Sequence, residues 1–104
     1  MKILIVDKIH HSFINFLKKA NINYEVNLYE PKSKIHKLIK KFDGIVIRSR
    51  FVIDKQFIDN CKNLKFIARA GSGMENIDSQ YAKKHDIQCF NTPEGNSEAV
   101  AQHC

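Results

Sequence analysis

Arg69 sits between an apolar run and a glycine pair in Phe66-Ile67-Ala68-Arg69-Ala70-Gly71-Ser72-Gly73-Met74-Glu75-Asn76-Ile77-Asp78. Glycines at positions 71 and 73 let the backbone come close to a ligand and turn its N–H groups outward. Arg69 supplies a fixed positive charge with the planar, two-pronged geometry that suits a carboxylate or phosphate. A strand end, a glycine turn, a cation and a helix start capped by Asp78 together make an anion site. A plain strand-to-helix turn uses the same glycines, so the pattern alone leaves both readings open.

The arginines sharpen the choice. The chain has fourteen lysines but only Arg48, Arg50 and Arg69 as arginines. All three are expected directly after apolar strands, which is where ligands sit in open α/β sheets. Arg48 and Ser49 end one strand and Arg69 with its glycine turn ends the next. Asn96, after a fifth strand, falls on the same edge. If the strands are neighbours, two guanidiniums, a hydroxyl, an amide and bare backbone N–H groups converge on a small, doubly anionic ligand. A surface salt bridge is the competing role for Arg48 taken alone.

Other chemistries find no support. A dinucleotide fingerprint starting at Gly71 would need its third glycine at Asn76, and no Walker glycine loop exists. A phospho-acceptor receiver needs clustered acids after its first strand, but Asp7 stands alone there, and the third strand ends in Arg48. Cys61, Cys89 and the serines have no histidine placed by motif, so nucleophilic catalysis is not indicated. His10 and His11 are expected on one helix, pointing apart by about 100°. No spacing suits a metal.

Composition bounds the rest. One compact domain fits in 104 residues, and 43% hydrophobic content can build a core. No run of about 18 apolar residues exists to span a membrane. The opening Met-Lys-Ile-Leu-Ile-Val-Asp is too short an apolar run for a signal peptide and reads as a strand. Cys61, Cys89 and Cys104 form no Cys-x-x-Cys pair, which points to a reduced, cytoplasmic setting. The net charge of +6 is concentrated in residues 18–41, where seven lysines face only Glu25 and Glu30. A solvated lysine face is the reading preferred over nucleic-acid binding, because the segment lacks the aromatic interleaving that stacks bases.

The elements that must position the arginines follow from periodicity. Strands are expected at Lys2–Val6, Ile22–Leu28, Ile45–Ile47, Leu64–Ala68 and Ile87–Phe90. Helices are expected at His10–Ala20, after a Ser33 cap (burying Ile35, Leu38 and Ile39), after an Asp54 cap (burying Phe57 and Ile58), and at Ser79–Lys84. Asn91 to Gly95 reads as a loop, and Asn96 or Ser97 as the cap of a helix through Ala99, Val100 and Ala101. Strict alternation predicts an α/β fold: a flavodoxin-like, five-stranded parallel sheet in the order 2-1-3-4-5, with helices on both faces. The last helix has no glycine or proline stop before Cys104, as expected of a sequence cut inside a larger protein.

Three stretches, Ile-Val-Ile-Arg-Ser-Arg at 45–50, Asn-Leu-Lys-Phe-Ile-Ala-Arg-Ala-Gly-Ser-Gly-Met-Glu-Asn-Ile-Asp at 63–78 and Asn-Thr-Pro-Glu-Gly-Asn-Ser-Glu-Ala-Val-Ala-Gln-His at 91–103, resemble the D-isomer-specific 2-hydroxyacid dehydrogenases. The Arg-Ala-Gly-x-Gly form is most similar to members that oxidise 3-phosphoglycerate to 3-phosphohydroxypyruvate, opening serine biosynthesis. The resemblance implies that residues 1–96 are a substrate-binding lobe and that 97–104 begin the helix leading to an absent Rossmann domain. That domain would bind most of the NAD and carry the catalytic residues, leaving none in this chain. Arg48, Ser49 and Arg69 would hold the phosphate side of a small phosphorylated 2-hydroxy acid. Gly71, Ser72 and Gly73, with Asn96, would orient the carboxylate, and Ser72 would also touch NAD. A cytoplasmic homo-oligomer without nucleic-acid or membrane partners is implied for the whole enzyme. The alternatives are a free-standing small-anion-binding module and a lobe for another D-2-hydroxy acid. Glu75, where the family favours aspartate, and His85-Asp86, where it tends to turn on glycine, are the departures.

Overall fold

The computed structural model describes residues 1–61, 63–71 and 75–92. In chain order they form β1 (Lys2–Ile5), α1 (His11–Lys19), β2 (Asn23–Val26), α2 (Lys32–Leu38) with a 3-10 turn (Ile39–Lys41), β3 (Gly44–Ile47), α3 (Lys55–Asp59), β4 (Phe66–Ala70), α4 (Ser79–Lys84) and β5 (Gln88–Thr92). The five strands are all parallel, in the order β2-β1-β3-β4-β5. This is the topology expected from the alternation.

β3 shows why the apolar runs become central strands. Ile45, Val46 and Ile47 are fully buried because helices cover both faces of the sheet. Burying each such side chain contributes about 1.5–3 kcal/mol. On one face α1 packs Phe13 and Leu17 over Ile3, Ile5, Val46, Phe66 and Ala68. On the other, Ile35, Ile39, Phe57, Ile58 and Ala82 from α2, its 3-10 turn, α3 and α4 cover Leu4, Ile45, Ile47 and Ile67. No described helix is long and apolar enough to cross a membrane.

Gly44 has a packing reason that periodicity does not reveal. It is paired with Phe66 across β3 and β4. A Cβ at Gly44 would stand 2.2–2.6 Å from three carbon atoms of the Phe66 ring. The ring lies over the glycine and fills the space a side chain would take.

The caps at Asp54 and Asp78 are as expected: Asp54 accepts from the Phe57 N–H at 2.9 Å and Asp78 from the Tyr81 N–H at 3.1 Å. Other boundaries are corrected. Ser33 does not cap α2. Pro31 precedes the first turn in an extended conformation, and its carbonyl accepts from Lys34 and Ile35, so Ser33 falls inside the helix. His10 is not helical; it is the N-cap of α1, and its Nδ1 accepts from the Ser12 N–H at 3.2 Å. Its extended backbone turns the ring back onto His11, and the two stack with centroids 4.3 Å apart instead of diverging. β5 continues through Asn91 and Thr92, where the sequence pattern reads as a loop, because both remain paired with β4. Asp86, at φ 61°, takes the left-handed position that ends α4. The expected helix after Asn96 or Ser97 lies outside the described residues.

Candidate functional site

The site is built at the carboxyl ends of β3 and β4, which are adjacent and parallel. Ile47 is in register with Arg69, so Arg48 begins one residue beyond it on the neighbouring strand. Arg69 lies inside β4 and not after it: the strand continues to Ala70 because β5 pairs with both residues. Arg48 and Ser49 are exposed, and Arg69 and Gly71 are half-buried. The three named side chains and Gly71 therefore share one rim. Ser72, Gly73 and Asn96 lie outside the described residues.

Gly71 has φ 126°, a conformation that an L side chain rarely adopts. Its N–H donates to the Thr92 carbonyl of β5 at 3.1 Å. The Arg69 Nη1 stands 3.3 Å from where a Cβ would be, so the guanidinium folds over the glycine. Glycine is needed here both for its backbone conformation and for the close approach of the arginine.

Two residues not singled out from the sequence hold the Arg48–Phe51 segment in place. Asp7, at the end of β1, accepts the Arg48 N–H at 2.7 Å and the Arg50 N–H at 3.1 Å on one carboxylate oxygen. Asn76 donates its amide to the carbonyls of Arg48 at 2.8 Å and Phe51 at 3.2 Å, and accepts from Arg69 Nε at 2.8 Å. Its backbone is tied to the same segment through the Ile53–Ile77 bridge, with the Ile53 N–H on the Asn76 carbonyl at 2.8 Å. A capping acid two residues past a strand is a visible turn signal, whereas the partners of Asn76 depend on tertiary pairing and leave no local mark.

The arginines divide by role. Arg50 is turned into the protein, donating to the carbonyls of Val6 at 3.1 Å, Asn27 at 2.5 Å and Glu30. It ties the ends of β1 and β2 together. Arg48 makes one long contact, 3.4 Å to the Lys8 carbonyl, and faces solvent. A planar cation over the rim and a second folded over a glycine can grip an anion from two sides.

Burial pushes the Cys61 thiol up to about 12 and the Cys89 thiol up to about 11, so neither is a thiolate at neutral pH. Among the described residues no group of three or more His, Cys, Asp or Glu side chains could hold a metal. The lysines of residues 18–41 are spread over the end of α1 (Lys18, Lys19), α2 (Lys32, Lys34, Lys37) and its 3-10 turn (Lys40, Lys41), with Lys34 paired to Glu30 and Lys32 to Asp54. A cavity of about 560 Å³ beside α4 and β5, and one of about 400 Å³ between α2 and α3, both lie away from the arginine rim.

Comparison with known proteins identifies the family and the fold. The family described as D-isomer specific 2-hydroxyacid dehydrogenase, catalytic domain, matches residues 3–104. D-3-phosphoglycerate dehydrogenase of Archaeoglobus fulgidus is 34% identical over 103 residues, covering 99% of this chain and 20% of that protein. Hydroxypyruvate reductase of Thermotoga maritima is 42% identical over 71 residues, covering 68% of this chain and 23% of that protein. Among solved structures, NAD⁺-bound 3-phosphoglycerate dehydrogenase of Entamoeba histolytica superposes with a TM-score of 0.77 at 30% identity, covering 89% of this chain and 33% of that one. The chain thus spans about a fifth of the length of these curated relatives. Parallel topology, a doubly cationic rim and a match across residues 3–104 lead to one conclusion: this chain belongs to the D-isomer-specific 2-hydroxyacid dehydrogenase family.

Proposed function

We propose that residues 1–96 are the substrate-binding lobe of an NAD-dependent dehydrogenase that oxidises D-3-phosphoglycerate to 3-phosphohydroxypyruvate. The observation that carries this reading is the placement of Arg48 and Arg69 at one rim of adjacent parallel strands, with Arg50 turned away. Arg48, Ser49 and Arg69 take the phosphate, and the backbone at Ser72 and Gly73, with Asn96, takes the carboxylate region; the Gly71 N–H, expected to join them, is instead held by the Thr92 carbonyl. Residues 97–104 lead towards the domain that holds NAD, in a cytoplasmic homo-oligomer. The name of the Archaeoglobus fulgidus relative supports the substrate.

The described residues do not fit a dinucleotide site of their own. The position where a third glycine would cradle a pyrophosphate is Asn76, whose amide is engaged with two carbonyls and Arg69. No hydride-transfer step is therefore assigned to this chain. Its part is to bind the acid and orient it. Arg48→Lys and Arg69→Lys in the full-length enzyme are expected to raise KM for phosphoglycerate, each by about tenfold, because lysine cannot make the two-pronged contact. Unchanged kinetics in both variants would sink the reading. The Thermotoga maritima relative favours another hydroxy acid as a second reading, and D-glycerate as competing substrate decides between the two.

A further inference from the structure

We infer that Asn76 is a positioning residue for the anion site, and that its amide sets where the Arg69 guanidinium stands relative to Arg48. The inference rests on the reading of the arginine rim as the substrate's anion site. The orientation of the Asn76 amide is determined by its partners. Its nitrogen faces two carbonyls, of Arg48 at 2.8 Å and Phe51 at 3.2 Å, so its oxygen must face Arg69 Nε, at 2.8 Å. That bond engages one donor of a five-donor fork and sets the direction in which its Nε–H edge faces. One small amide thereby joins the backbone that carries the first arginine to the side chain of the second.

The fold does not depend on this amide for its local path. The Asn76 carbonyl accepts from Ile53, and the Asp78 N–H donates to Ile53 at 3.0 Å, whatever side chain position 76 carries. Capping the Arg48 and Phe51 carbonyls needs only a donor. Among the described residues the acceptor end serves no backbone group, and it is committed to Arg69. Aspartate here would keep that acceptor, but it would set a negative oxygen against two carbonyls and compete with the ligand for the guanidinium.

The test uses ¹⁵N-labelled chain and its arginine Nε–H resonances, of which three arginines give at most three. The wild-type Arg69 signal should be sharp and protected from exchange. In Asn76→Leu it should be lost to exchange, while Kd for D-3-phosphoglycerate rises about tenfold. Kd for D-glycerate, which lacks the phosphate, should move by less than about twofold, an asymmetry that general loosening would not produce. If Asn76→Leu fails to fold, Asn76→Asp substitutes: it should keep the Nε–H signal yet weaken phosphoglycerate binding. If Arg69→Met weakens phosphoglycerate binding tenfold but neither Asn76 variant moves it, the inference is overturned and the anion site stands. If Arg69→Met has no effect either, the site reading itself fails.

Discussion

Replacing Gly44 with alanine adds a single methyl group at the first paired position of β3 and β4. That methyl would lie 2.2 Å from Phe66 Cζ and 2.4 and 2.6 Å from its two Cε atoms. Carbon atoms pack comfortably at about 3.5–4.0 Å, so something must move by more than about 1 Å. A ring flip gives no relief, because it only exchanges the two Cε atoms. Nor can the ring swing aside easily: Phe66 is fully buried in the cluster with Ile3, Phe13, Leu17 and Val46, and stacks against Phe90 at 5.6 Å. Overpacking of this kind costs about 1–3 kcal/mol, and the rigid setting argues for the upper half. The reduced freedom of the unfolded chain returns only about 0.4–1 kcal/mol. A net loss of roughly 2 kcal/mol is expected, or about 8–16 °C in Tm for a domain of this size. Urea unfolding followed by circular dichroism measures it. Phe66→Leu in the Gly44→Ala background should recover part of the loss, since the pair is coupled. A Gly44→Ala protein within about 0.5 kcal/mol of wild type, inside the range of an ordinary surface change, would refute the argument.

Two further outcomes follow from groups already described. Arg50→Lys should cost roughly 2 kcal/mol, because one ammonium cannot reach the carbonyls of Val6, Asn27 and Glu30 together. Hydrogen exchange should then speed up at residues 27–30 and remain unchanged in β4. Cys61 makes the fold sensitive to alkali: its thiol ionises near 9.0 when unfolded and near about 12 when folded, so above pH 9 the unfolded state binds fewer protons and stability falls as pH rises. Between about pH 8 and pH 10.5 the wild type should lose roughly 1–2 kcal/mol more than Cys61→Ala. A gap that stays constant with pH would show that the thiol is not sealed in.

What could be read from the sequence was local. The runs Ile3–Val6 and Ile45–Ile47 declared themselves as buried strands, and Asp54 and Asp78 as caps, because each depends on neighbours within a few residues. The pairing of Arg48 and Arg69 at one rim was accessible through topology, since β3 and β4, joined by α3, lie side by side. Asn76 and Gly44 were not legible. Two of the three partners of one are 28 and 25 residues away, and the clash that excludes a side chain at the other comes from a ring on the next strand. His10 was misread for a related reason: a histidine seldom caps a helix, and its neighbour Ser12 supplies the N–H that lets it do so. Arg50 resembled its neighbour in type and spacing, and only the carbonyls of β1 and the loop after β2 separate their roles.

Arg50 gives its hydrogen bonds to neutral carbonyls, and among the described residues no carboxylate pairs with its guanidinium. Three of its five N–H donors are occupied, but its charge is not cancelled. It therefore adds to the potential over the rim without occupying space there; on the proposed reading of the rim, it draws anions in from solution while Arg48 and Arg69 make the contact. Encounter rate and residence time are in this way entrusted to different arginines, and added salt should slow the first far more than it shortens the second.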